Sequence, residues 1–443
     1  MSSRAKAINA VMNLYIGAIF TIFAIRQKYR LYTYSIMRVL SLFSGCGGMD
    51  LGFEGGFECL AKSVNADMHP DWIAKKKRNW VLLTRTEFET VFANDIRPDA
   101  KTAWVNFFKN RNEQAAEIYK LDSVVDLVKR ARNGERVFPE NIDLVTGGFP
   151  CQDFSVAGKR LGFDSQTSHL GKSLEADEPS EESRGKLYMW MRDVISLTSP
   201  KMFIAENVKG LTNLHDVKKI IEHDFSQAGN GGYLVVPAKV LFAPEYGVPQ
   251  SRERVIFFGF NRGCLRPEAL EALSCEDIPV AYDPYPPKSH GVGLKPFVTC
   301  SDAFVGLEEP EFSTDPSQQI YSKAHYMGSH CQGQSEVKLD GVGPTIRSEH
   351  HGNIEYRRLS LEHGGKHRKE LEAGFPERRL SVRECARIQT FPDNYEFILK
   401  KTEEHPSLSS SDAYKIIGNA VPCVLAYSIA KNIESKWNKY FEI

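Results

Sequence analysis

Between residues 38 and about 260, short apolar runs alternate with longer stretches of helical spacing. Residues 38–42, 142–145, 201–205 and 254–259 read as strands, because each run is too short for a helix and is bounded by turn residues. Residues 115–132 and 187–198 carry apolar side chains at helical intervals. Strands alternating with helices predict an α/β fold, a doubly wound sheet whose ligands gather at the carboxyl ends of its strands. From about 261 to 377 the periodicity fades into Pro-, Gly- and His-rich sequence, as in Asp283-Pro284-Tyr285-Pro286-Pro287. That texture predicts a small, irregular second domain. A helix resumes near Ser381, an N-cap with Glu384 three residues on. The expected organisation is an extension over 1–37, a large domain over 38–260, the irregular domain over 261–377, and a return to the large domain over 378–443.

Two segments in this pattern carry candidate chemistry. Phe43-Ser44-Gly45-Cys46-Gly47-Gly48 joins the first strand to a helix. Its glycines allow close backbone approach to a ligand, and the helix start offers free N–H groups. The spacing is not Gly-x-Gly-x-x-Gly, which disfavours a nicotinamide enzyme. The second segment, Thr146-Gly147-Gly148-Phe149-Pro150-Cys151-Gln152-Asp153-Phe154-Ser155, follows a strand. Proline fixes its own φ and removes a donor, so the Cys151 thiol starts a loop outside the ladder. A nucleophile is one reading of such a thiol, and a small buried hydrophobe is the other.

Four later blocks add to these, in order: Ala205-Glu206-Asn207-Val208, then residues 247–259 with Arg252 and Arg254, then residues 379–392, and finally Tyr414 to Pro422 with Gly418-Asn419-Ala420-Val421. Together they resemble the DNA cytosine-C5 methyltransferases over roughly residues 38–430. The resemblance implies a methyltransferase fold that uses S-adenosylmethionine and no metal, with residues 261–377 as the target-recognition domain. It makes Cys151 the nucleophile that adds to carbon 6 of a cytosine flipped from the duplex, since carbon 5 is otherwise unreactive. Glu206 would bond ring nitrogen 3 and the exocyclic amine from a desolvated position, a salt bridge to an arginine being the alternative. Arg252 and Arg254, two residues apart on one strand, would share a face, with Arg254 nearer the pyrimidine and Arg252 holding the loop or the base carbonyl.

By the same resemblance Phe43, Ser44, Gly45, Cys46, Gly47, Gly48, Asp95, Ile96, Pro150, Asn419, Ala420 and Val421 would line the cofactor pocket, Asp95 as the adenine-amine acceptor. Ser41 stands where many relatives have Asp. Asn65 stands where an acid often grips the ribose, and either Asn65 or Asp67 would take that part. Gln152, Ser155, Arg184, Thr345 and Arg347 would meet DNA, and residues 152–182 would close over the flipped base, with the acidic run 175–182 facing solvent. The alternatives are a tRNA cytosine-5 methyltransferase of the same fold, a catalytically silent DNA-binding relative and, more distantly, an oxidoreductase. An insertion of over 100 residues between the arginine strand and the closing helix favours DNA.

Composition changes the picture only at its edges. With 56 basic and 56 acidic residues the chain is neutral overall, so any attraction to phosphates is local. Arg347, Arg357, Arg358, Lys366, Arg368, Lys369, Arg378, Arg379 and Arg383 form a late cluster, read as part DNA-facing and part solvated surface. Nine cysteines without Cys-x-x-Cys spacing argue against zinc and against a disulfide framework. They fit a reducing cytoplasm. Residues 8–25 are apolar with basic flanks, and an appended helix or a start at Met37 is favoured over a membrane anchor. The expected partners are double-stranded DNA and a restriction endonuclease of the same specificity, with the chain itself a monomer.

Overall fold

The strands are β1 (Met37–Leu42), β2 (Glu58–Leu60), β3 (Ile73–Lys77), β4 (Trp80–Leu83), β5 (Phe88–Asn94), β6 (Tyr119–Lys120), β7 (Leu144–Gly148), β8 (Met202–Val208), β9 (Tyr233–Phe242) and β10 (Glu253–Asn261). The computed structural model describes residues 36–150, 187–213, 216–348, 354–403 and 405–442. Seven strands form one sheet in the order β6-β5-β1-β7-β8-β10-β9. The β1–β7 and β7–β8 pairs are parallel, whereas β10 runs antiparallel to both β8 and β9. The start of β10 therefore lies beside the carboxyl end of β8.

Alternation along the strands sends side chains to two layers. Leu40, Leu42, Val145, Phe203, Ala205, Val255 and Phe257 point into one buried cluster. That cluster also takes in Val124–Arg132, Leu187–Thr198 and Val217–Ser226, helices labelled α3, α4 and α5. On the other face Ser41 meets helix α1 (Gly48–Glu54), through Asp50. Helix α2 (Pro98–Phe108) adds Trp104 to the same neighbourhood. The α/β sheet with helices on both faces is the expected one.

Helix α4 has the expected bounds. The expected helix over 115–132 is instead broken. Tyr119 and Lys120 pair with Ala93 and Asn94 as β6, and α3 starts afresh from Ser123, whose hydroxyl caps the Val125 N–H at 3.3 Å. A long-range ladder and a new cap outweigh helical spacing here. A second departure lies between α1 and β5. There β2, β4 and β3 form their own antiparallel sheet, outside the main one, with Lys75, Lys76, Lys77 and Arg78 exposed at its hairpin.

After β10 the regular elements are short, including β11 (Tyr356–Arg358) and β12 (Arg378–Arg379). Helix α6 (Val382–Ile388) starts at the expected capping box, with Ser381 accepting from the Glu384 N–H at 3.0 Å. Helices α7 (Ser410–Asn419) and α8 (Cys423–Glu434) close the chain, and α8 packs on α1. By composition the stretch Ser410–Glu434 is apolar enough to cross a membrane, yet 89% of its most apolar window is buried inside the fold. Arg38–Ile443 make one compact unit.

The late arginine cluster is largely internal. Arg358 is fully buried and pairs with Glu309 at 3.1 Å and Glu370 at 2.7 Å. Arg378 pairs with Glu309 and Glu384, both at 2.8 Å, and Arg383 with Asp315 at 2.5 Å. Arg357 reaches Glu370 at 2.8 Å, and Arg379 donates to the Ala324 and Gly333 carbonyls. Only Lys366, Arg368 and Lys369 of that cluster are exposed. The expectation of a phosphate-facing or solvated surface is corrected for the buried members, whose guanidinium donors are used inside the fold.

Candidate active site

The glycine turn after β1 is built from left-handed residues: φ is 52° at Phe43, 54° at Gly45 and 75° at Gly47. Only glycine takes such values without strain, and Phe43 holds one nonetheless. The Ser44 N–H donates to the Asn94 carbonyl at 2.8 Å, and the Gly45 N–H to Asp95 Oδ2 at 3.0 Å. A Cβ built on Gly45 would have nothing within 4 Å, so the turn faces open space there. Gly48 is pressed against the late segment instead, where a Cβ would sit 2.3 Å from the Val421 carbonyl oxygen. Ala420 and Val421 are buried at this contact, and Asn419 beside them is exposed. Cys46 is fully buried, and burial pushes its thiol well up, so it stays protonated.

The acid at the turn is Asp95, directly after β5. Burial raises its carboxyl above the usual range, and the Arg97 and Gly45 N–H groups pull the other way. Ile96, next to it, is 43% exposed. Asn65 and Asp67 are elsewhere. They follow β2 in the inserted sheet, where the Asn65 amide donates to the Ser289 carbonyl at 2.9 Å and Asp67 is exposed. That sheet is separate from the main one, where the strand flanking β1 is β5. Beyond it β6 sends the Tyr119 hydroxyl to the Gly45 carbonyl at 2.9 Å. Three residues after Tyr119 comes Asp122, whose carbonyl accepts from the Asn94 side chain at 2.7 Å. Sequence reading passed over Asp122, although a carboxylate just past a short apolar run was the available signal.

On the other side of β1, Pro150 follows β7 and is half-buried. Asn207 Nδ2 donates to the Phe149 carbonyl at 3.2 Å and so steadies the chain just ahead of the thiol. Cys151, Gln152, Ser155 and Arg184 lie outside the described residues, as does the loop 152–182. Glu206 stands opposite Gly148 in the β7–β8 register. A Cβ on Gly148 would stand 2.8 Å from Glu206 Oε2, so a glycine leaves the carboxylate its room. Glu206 Oε1 pairs with Arg254 Nε at 2.6 Å, both side chains being about nine-tenths buried. The pair is a diagonal one, since Ile256 is directly opposite Glu206. The carboxylate is therefore desolvated and charge-paired at once.

Arg252 does not share that face. It precedes β10 and is 1% exposed. It donates to the Ile346 carbonyl at 3.0 Å and the Gly418 carbonyl at 2.9 Å. Residues 343–347 are held along the same stretch. The Gly343 N–H donates to the Pro249 carbonyl at 3.0 Å, the Ile346 N–H to Gln250 Oε1 at 3.0 Å, and the Thr345 hydroxyl to the Ser251 carbonyl. Arg347 pairs with Glu355 at 3.0 Å. Thr345 thus lies at an internal joint, and Arg347, beside Glu355, keeps a quarter of its side chain exposed.

A family model for C-5 cytosine-specific DNA methylases matches residues 81–435. The chain is similar to the Type II methyltransferase M.BsuRI of Bacillus subtilis, 32% identical over 422 residues, which are 92% of this chain and 81% of that protein. It is similar to the Type II methyltransferase M.BspRI of Lysinibacillus sphaericus, 34% identical over 412 residues, 89% and 81% of the two chains. Among solved structures, the S. pombe Dnmt2 methyltransferase matches with a TM-score of 0.50 and 17% identity, over 90% of this chain and 98% of that one, a likeness of fold.

Proposed function

The chain belongs to the C-5 cytosine-specific DNA methylases, and from that premise we propose that it methylates cytosine in a short duplex sequence as a modification enzyme, through a covalent adduct at Cys151. The observation that carries the reading is the Glu206–Arg254 pair at the carboxyl end of β8, across from the strand that leads into Pro150-Cys151.

The residues around the turn fit S-adenosylmethionine. Gly45 faces open space, Phe43 is half-buried, Ile96 is exposed beside Asp95, and Asn419 and Val421 close the far wall. When bound, the cofactor supplies the electrophilic methyl group. The residues that would hold it follow β1, β5 and β6. Asp95 would then take the ribose hydroxyls and Asp122 the adenine amine, one strand further out than an assignment through Asn65 or Asp67.

Towards the base, Cys151 as thiolate adds to carbon 6, and its departure accompanies loss of the carbon 5 proton. Glu206 holds ring nitrogen 3 and the exocyclic amine, with Arg254 orienting it through Nε. Asn207 fixes the carbonyl before Pro150 and so the start of the nucleophile's loop. Gln152, Ser155 and Arg184 contact DNA. Double-stranded DNA is the substrate, a restriction endonuclease of the same specificity is the partner, and the chain works as a cytoplasmic monomer. The test is a duplex library carrying 5-fluorocytosine. The wild type is expected to form a cofactor-dependent adduct at one target sequence, and Cys151→Ser none while still binding DNA. Adduct formation by the Ser variant would overturn the mechanism.

A further inference from the structure

Asp50 lies in α1, on the far side of the glycine turn from Ser41, and both are almost fully buried. Its two carboxylate oxygens each receive a donor. The Ser41 hydroxyl donates to Oδ1 at 2.6 Å, and Trp104 Nε1 donates to Oδ2 at 2.7 Å. The first of these ends a relay. The Asn94 N–H donates to Ser44 Oγ at 3.0 Å, and the Ser44 hydroxyl donates to Ser41 Oγ at 2.9 Å. The Ser44 hydroxyl also lies 3.1 Å from the Ser41 carbonyl, and when it donates to Ser41 Oγ the donors run towards Asp50. The second bond steadies the indole that packs under Gly47, where a Cβ would stand 2.5 Å from Trp104 Cδ1.

We propose that Asp50 is the positioning residue of the cofactor turn, its carboxylate holding Ser41, Ser44 and Trp104 and, through them, the backbone of residues 43–47. The inference rests on the reading of that turn as the S-adenosylmethionine site. Asp50 touches no reacting atom itself. Two donors converge on it, so only a group with two acceptors serves both. An amide has one, and an amide or a protonated carboxyl keeps both partners only if the Ser41 hydroxyl turns round to accept, which breaks the run of donors towards Asp50. Burial pushes the Asp50 carboxyl up to about 7, against the pull of Ser41 and Trp104. As pH falls through that value the buried charge is relieved, but the group loses one of its two acceptors and the turn is held differently.

The other groups around Asp50 are Glu54 on its own helix, Cys46 on the turn, Tyr119 from β6 and Tyr395. Glu54 is paired with Arg111 at 3.2 Å, and burial keeps the thiol and both phenols neutral. Asp95 acts on Cys46 and titrates in wild type and variant alike.

The test compares full-length wild type with Asp50→Asn and Ser41→Ala. Calorimetry gives the S-adenosylmethionine Kd between pH 6 and 8.5, and turnover on the cognate duplex gives KM and kcat. Asp50→Asn is expected to raise Kd and KM for the cofactor about tenfold, the weight of one charged hydrogen bond, with kcat at saturation near wild type. The wild-type loss of affinity on acidification should be smaller in the variant, which keeps only the part that Asp95 contributes. Ser41→Ala, which keeps the carboxylate but cuts the relay, should move Kd in the same direction and carries the test if Asp50→Asn does not fold. Unchanged Kd, or a fall in kcat alone, would overturn the proposal. A wild type that binds no S-adenosylmethionine would sink the functional reading instead.

Discussion

The sheet and the irregular region after residue 300 both bury carboxylates, in opposite settings. Around the sheet, Asp50, Asp95 and Glu54 sit where burial dominates, and all three are raised above the ordinary range. In the irregular region burial also pushes Glu370 and Glu384 up. There Arg357 and Arg358 around the first, and Arg378 and Arg357 around the second, more than offset it, and both end below the ordinary range. The two settings follow from what fills each interior. The sheet stacks Leu40, Val145, Phe203 and Phe257 in a continuous apolar cluster on one face, and the acids near its other face have few cationic partners, Arg111 beside Glu54 being one. The irregular region has short elements and little apolar layering, and Arg358, Arg378, Arg383 and Glu384 take the place of core side chains. One interior is non-directional and the other is specified bond by bond. A chain with no net charge can therefore still depend on charge for part of its fold.

Removing one member of the ion-paired interior should break the contrast most sharply. Arg378→Met leaves Glu309 and Glu384 short of a partner in a buried place, which costs about 3–5 kcal/mol. Urea unfolding should show that loss; a cost under about 1 kcal/mol would mean the pairs are ornamental.

Acid should separate the two regions next. Glu370 and Glu384 have folded values below their unfolded ones, so their stabilisation is complete above the usual carboxylate range and is lost as pH falls through the folded values. Asp50 and Asp95 have the opposite slope, because protonation relieves them. Ring signals of Tyr356 and Tyr326 should broaden during acidification while those of Phe203 and Phe257 remain dispersed. Simultaneous loss of both sets would show a single cooperative unit. The smallest effect belongs to Ser381→Ala, which removes the cap of α6 at the border of the two regions and should cost about 1 kcal/mol in thermal unfolding.

The same contrast explains what could be read in the sequence. Helix α4 and the capping box at Ser381 were legible because spacing and caps are local signals. The turn after β1 and the carboxyl end of β8 were legible because residue order places them at strand ends. Tyr119 and Lys120 were not, since their strand exists only through pairing with β5. Nor could the separate β2–β4–β3 sheet be foreseen, which holds Asn65 and Asp67 apart from the turn that Asp95 meets. The buried arginines were misread for a related reason: Glu309 and Asp315 lie far from them along the chain, and a guanidinium looks solvent-facing until its partner is known.

The joint around Arg252 bears on how such enzymes can be rebuilt. One guanidinium fastens residue 346 to residue 418, and the neighbouring backbone zips residues 343–346 onto residues 249–251. Anyone transplanting a foreign specificity module into this scaffold should cut upstream of Gly343 and leave Gly343 to Ile346 native. A splice inside that stretch would sever the weld between residues 343–346 and residues 249–252.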